Sequence, residues 1–104
     1  MTQNIRIGET DTLFRTSAAL PFVYREVTGR DFFGDMQNMD TGNDTILDIA
    51  YVMHVHACPD EHISKIEWLE QFEFADLNDA FPSIIEMLAQ TQKITSESKK
   101  KNDL

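Results

Sequence analysis

The sequence predicts a mainly helical α+β domain: about four to five helices around a central buried helix, with a small β-hairpin at the N-terminus. Three observations carry this reading. Asp44 to Cys58 reads DTILDIAYVMHVHAC, and wound as a helix its apolar residues point in nearly every direction, so it must be covered on most sides. The segments before and after it repeat their apolar residues at helical spacing. Residues 4–16, NIRIGETDTLFRT, instead have strand-like composition around a Gly-Glu-Thr-Asp turn cluster, which suggests a hairpin.

In that hairpin Ile5, Ile7, Leu13 and Arg15 are expected to alternate across the faces. A lone hairpin is marginal in water, so it must pack on the helices. Ser17 can cap the next segment, and Pro21 marks its first turn, where a missing N–H has no helical partner to lose. Leu20, Val23, Tyr24 and Val27 then fall at i, i+3, i+4 and i+7, a core-facing stripe. Gly29 stops this helix in the C′ position. Asp31 can cap a short second helix in which Phe32, Phe33, Met36 and Met39 share a face. Residues 40–43 form a loop into the central helix, with Asp44 and Thr45 placed as N-caps and Asp48 and the Tyr51 hydroxyl on its wetter edge. Strand competes there, since Ile, Val and Tyr are good strand formers, but the run exceeds a typical strand.

Pro59-Asp60 ends the central helix. Ser64 or Asp60 begins another, with Ile66, Trp68, Leu69 and Phe72 on one side and Glu67 and Glu70 opposite. Phe74 falls on the acidic side: either this helix ends near Glu73 or Phe74 is exposed for a partner. Asp76 is expected to cap the last helix, whose arc is Leu77, Ala80, Phe81, Ile84, Ile85, Met87 and Leu88. Pro82, on its polar side, either kinks it or marks a restart. Residues 1–92 read as one globular domain and residues 93–104 as a disordered polar tail.

The chain has 104 residues and a formal net charge of −9, with one cysteine. Four lysines after residue 92 offset the acidic excess locally, so the body is more acidic than the whole. Such a surface repels phosphate backbones and anionic membranes, which speaks against nucleic-acid and membrane partners. Cys58 alone allows no internal disulfide, which fits a reducing cytoplasm. No stretch nears the ~20 apolar residues of a membrane span.

His54, His56, Cys58 and His62 have zinc-type donors. On a continuous helix His54, Cys58 and His62 would stack, but Pro59 interrupts it and His56 points away. Part-buried histidines near a helix C-terminus are the expectation, and no metal or cofactor is expected. The carboxylate pairs lie on polar faces or caps, not in the concave apolar setting that separates catalytic pKa values. No Gly-rich phosphate loop or nucleophile elbow is present, so no catalytic residue is named and the chain is expected not to be an enzyme.

Three segments together resemble the tail assembly chaperones of long-tailed phages and prophages. The first is FRTSAALPFVYREVTGRDFFGDM, with Pro21, Tyr24, Arg25, Gly29, Arg30, Asp31 and Asp35 at the family's motif positions. The second is IAYVMHVHA, with Ala50, Tyr51 and Met53. The third is EWLEQFEFADLNDAFPSIIEML, with Trp68, Leu69, Phe72 and Pro82. Thr28 stands where the family usually has a phenylalanine. The resemblance implies a viral protein of the host cytoplasm, absent from the mature virion, that binds the tape measure protein and keeps it soluble while the tail tube polymerises. It also admits self-association and a frameshift-extended form of the chain as partners, with Lys99, Lys100 and Lys101 at the place where slippery codons would lie. Trp68, Phe72 and Phe74 are the candidate partner-binding residues. The alternative is a small acidic inhibitor that mimics DNA and blocks a nucleic-acid enzyme, which requires carboxylates at phosphate-like spacing on one face.

Overall fold

The computed structural model describes the backbone of residues 1–39 and 43–102, and the side chains of residues 1–39 and 44–90. Strands β1 (Thr2–Ile7) and β2 (Thr10–Arg15) form an antiparallel hairpin, followed by helices α1 (Leu20–Thr28), α2 (Phe32–Gln37) and α3 (Asn43–Ala57). The 3-10 turn Pro59–Glu61 leads to α4 (Lys65–Leu69) and the long α5 (Phe74–Asn102). Of the expected loop over residues 40–43, residues 40–42 lie outside the described residues and Asn43 is already the first residue of α3; the expected tail over residues 93–104 lies outside the described side chains.

Helix α3 is the centre. Ile46, Ile49, Ala50, Val52 and Met53 are buried, with three of its directions occupied by β2, α1 and α4. A helix apolar all round gains stability only when its neighbours remove every side from water, and that is the arrangement found. Helix α5 lies against β1. Leu77, Ala80, Ile84, Met87 and Leu88 supply its buried arc, while Ile85 at 42% exposure stands outside the arc the sequence predicts.

The hairpin turns on Gly8 and Glu9, with Ile7 opposite Thr10 and Ile5 opposite Thr12. Gly8 has φ +62°, at the first of two turn residues, the place a type II′ turn reserves for glycine. Any turn of even length sets odd residues of β1 against even residues of β2. Phe14 therefore joins Ile5 and Ile7 in the core, and Leu13 faces outward, 42% exposed. The expected role of Leu13 belongs to Phe14.

Local punctuation falls where backbone chemistry places it. Pro21 sits in the first turn of α1, and Gly29 closes the helix at φ +75° with its N–H donating to the Arg25 carbonyl. The Asp31 carboxylate accepts from the Gly34 N–H at 2.8 Å and starts α2. Ser64 Oγ accepts from the Glu67 N–H at 3.2 Å and starts α4. Asp76 does not cap α5, because the helix begins at Phe74, which leaves Asp76 inside its first turn. Pro82 lies within α5 on an exposed position, where water can take the Asn78 carbonyl that a proline leaves without a donor. Val27, Phe33 and Ile66 also depart from their expected core faces, since nothing among the described residues covers those sides of α1, α2 and α4. Among the described residues no helix is long and apolar enough to cross a membrane.

Candidate partner-binding site

The motif residues around Gly29 resolve into a polar knot that ties three helices together. Tyr24 is buried on α1, and its hydroxyl donates to Asp35 on α2. Arg30, freed from the helix by the Gly29 stop, donates from Nε to Asp35 Oδ2 at 2.8 Å and from Nη2 to the Tyr24 hydroxyl at 3.2 Å. The same Nη2 donates to Asp48 on α3, whose other oxygen accepts from Lys65 Nζ at 2.7 Å. Asp48 thus lies buried rather than on the wetter edge the sequence suggests, with one cation on each carboxylate oxygen.

The electrostatics follow from this wiring. Burial, followed by the Asp35 hydrogen bond, pushes the Tyr24 phenol up to about 12, so it stays protonated at neutral pH. The Tyr24 and Arg30 hydrogen bonds hold the Asp35 carboxyl below its ordinary value. For Asp48, burial pushes the carboxyl up, but hydrogen bonds from Lys65 and Arg30 outweigh it and the net direction is down. All of these groups are engaged with one another, and the knot acts as a structural clasp. Arg25 and Asp31, 3.8 Å apart and both well exposed, add little to it.

The three aromatic candidates separate by depth. Trp68 is 1% exposed and is the hub of the aromatic core, edge-on to Phe14 and Phe72 and stacked on the His54 ring at 5.4 Å. It cannot meet a partner without opening the domain. Phe72 is half-buried against it. Phe74 is 69% exposed in the first turn of α5. Its sequence neighbour Glu73 lines a groove of about 470 Å³ between the hairpin turn and the α4–α5 junction, with Phe72 in the wall and Glu9, Glu70 and Asp76 around it, while Phe74 itself is not part of the lining. A large exposed ring next to an acid-rimmed groove is suited to a segment that combines apolar and basic side chains.

Two exposed rings escape the sequence reading, Phe22 at 73% and Phe33 at 60%. Helical spacing identified Phe33 as core, and only the packing of its neighbours corrects that. The histidines also part company. His56 Nε2 lies 2.7 Å from Ser17 Oγ, and His62 is exposed. His54 lies buried beside Cys58 and Glu61, a carboxylate that sequence spacing gave no reason to include.

No family model, curated protein or solved structure matches this chain. The class the fold defines is a small acidic helical domain with a two-stranded hairpin, internally clasped by ion pairs.

Proposed function

We propose that this protein is a tail assembly chaperone that binds the tape measure protein of a long-tailed phage or prophage and keeps it soluble during tail assembly. The observation that carries the reading is Phe74, 69% exposed and next in sequence to the acid-rimmed groove that Phe72 and Glu73 line. A tape measure protein is a long helical chain with apolar surface waiting to be enclosed. An apolar ring captures such a surface, and the acidic body around it keeps the complex from aggregating. The carboxylates of Glu9, Glu70, Glu73 and Asp76 favour segments with lysine or arginine beside the apolar stripe, which makes the interaction weaker at high salt.

The test is co-expression with the candidate tape measure protein and measurement of how much of it stays soluble. Phe74→Ser, at an exposed position, should keep the thermal midpoint and lose most of the solubilising effect. A Phe74→Ser protein that solubilises the partner as well as the parent does would remove this site. An intact chain that binds no tape measure segment would remove the function.

A further inference from the structure

We propose that His54, Cys58 and Glu61 form a binding site for a zinc-type divalent cation, independent of the chaperone reading. The site begins with the way His54 is held. Its Nδ1 lies 2.8 Å from the Leu13 carbonyl, and a carbonyl can only accept, so Nδ1 carries the hydrogen. Nε2 is thereby directed away from the strand, 3.2 and 3.3 Å from the two Glu61 oxygens. The ring is 6% exposed and stacked on Trp68. Metal-binding histidines are oriented in this way, by a backbone carbonyl on the nitrogen remote from the ion.

The other two donors are brought in by the end of the helix. Cys58 is the first residue beyond α3, and its N–H still donates to the His54 carbonyl at 2.8 Å, which keeps it one turn above His54. The chain then reverses through the 3-10 turn Pro59–Glu61, which His62 closes in the left-handed region at φ +52°. That reversal returns Glu61 to His54. Pro59, which breaks the helical stack of His54, Cys58 and His62 that the sequence offers, is the residue that opens the turn and substitutes Glu61 for His62.

One nitrogen, one sulfur and one oxygen donor lie within 4.8 Å of one another. Zinc bonds of about 2.0–2.3 Å in a tetrahedron require donor separations of roughly 3.3–3.8 Å. Side-chain rotation of Cys58 and of the 40%-exposed Glu61 carboxylate can supply the remaining closure. A cavity of about 200 Å³ opens beside them, walled by Tyr51, Val55, Pro59 and His62, with space for a fourth donor from solvent or from His62. The mixed donor set selects zinc or cobalt over calcium or magnesium, which take oxygen.

The experiment uses the reduced, metal-stripped chain without an affinity tag, titrated with Co²⁺ and then with Zn²⁺. Thiolate-to-cobalt charge-transfer absorption reports Cys58, and fluorescence of Trp68, the one tryptophan, reports the stacked His54. The expected result is one equivalent bound, displaced by Zn²⁺, with the absorption band abolished in Cys58→Ser and affinity about 10-fold or more weaker in Glu61→Gln. Both substitutions avoid the buried histidine, and the metal-free thermal midpoint of each checks folding. Absence of the band, or an affinity unmoved by Glu61→Gln, overturns the proposal and leaves His54 and Glu61 as a simple hydrogen-bonded contact.

Discussion

Arg30 reaches from the turn after α1 to the buried carboxylate of Asp48 in the middle of α3. The contact crosses eighteen residues of sequence, and through Asp35 and Lys65 it joins α1, α2, α3 and the start of α4 in one clasp. A buried carboxylate is costly unless fully paired, so removing a partner costs more than the pair contributes.

Asp48→Asn should destabilise the fold by about 2 kcal/mol, less than a fully buried pair because Arg30 and Lys65 are half-exposed and can return to water. Urea unfolding of Arg30→Gln, Asp48→Asn and the double variant should give a coupling of about 1–2 kcal/mol. Additive single effects would show that the two side chains do not depend on each other. Asp35 and Asp48 both have lowered folded-state values. Their contribution is complete above the unfolded carboxyl value of about 3.9 and is lost as pH falls through the lower folded values.

Leu88→Asp should cost about 3–5 kcal/mol, because Leu88 is 3% exposed in the arc by which α5 packs on the body. Ile85→Asp, three residues earlier but 42% exposed, should cost under about 1 kcal/mol. Thermal midpoints of the two variants decide this. Equal losses would mean that the helix faces the core with a different side.

The contrast between Leu88 and Ile85 shows what the sequence can and cannot reveal. Gly29, Asp31, Ser64 and Pro21 act on their own backbone within a few residues, so their roles were legible. Val27, Phe33, Ile66 and Ile85 have the spacing of core residues, but burial depends on which other element arrives to cover them. The parity of the hairpin decided Phe14 over Leu13, and it depends only on the length of the turn being even. Asp48 and Glu61 were opaque for a stronger reason. Each is defined by a side chain brought in by tertiary structure, Arg30 and Lys65 for one and His54 for the other. Of the candidate site, Phe74 was legible as an apolar residue on an acidic face, whereas the groove beside it needs the hairpin turn to supply its second wall.

His56 makes stability fall on mild acidification. Its Nε2 lies 2.7 Å from Ser17 Oγ, which accepts from the Ala19 N–H at 3.1 Å and keeps its own hydrogen to donate to the unprotonated Nε2 of a neutral ring. Burial, then the charges of Arg15 and the N-terminal amine, lower its value below 6.5. Above the unfolded value of about 6.5 the neutral ring is preferred in both states and stability is complete. As pH falls below it the unfolded chain binds the proton first, and stability declines until the lower folded value is passed. Denaturant midpoints at pH 7 and pH 5 should differ for the parent and differ less for His56→Gln. An unchanged slope in the variant would assign the effect to other groups.

Gly8 and Gly29 both hold positive φ, at +62° and +75°, yet they should respond differently to substitution. A Cβ on Gly29 meets nothing within 4 Å, so Gly29→Ala bears only the left-handed backbone penalty of about 1 kcal/mol, and Gly29→Asn less. A Cβ on Gly8 would stand 2.6 Å from Asp76 Oδ2 and 3.1 Å from its Cγ, in the wall of the groove where the hairpin turn meets α5. Gly8→Ala should therefore cost more, because the first position of a type II′ turn admits an L side chain less readily than the αL cap and the Asp76 carboxylate must also be displaced, about 2 kcal/mol or more in all. The part due to the carboxylate is removable: in an Asp76→Ser background the cost of Gly8→Ala should be smaller than in the parent. Chemical denaturation of the four proteins measures it, and a Gly8→Ala cost independent of residue 76 would show that the turn and α5 are not held at this distance in solution.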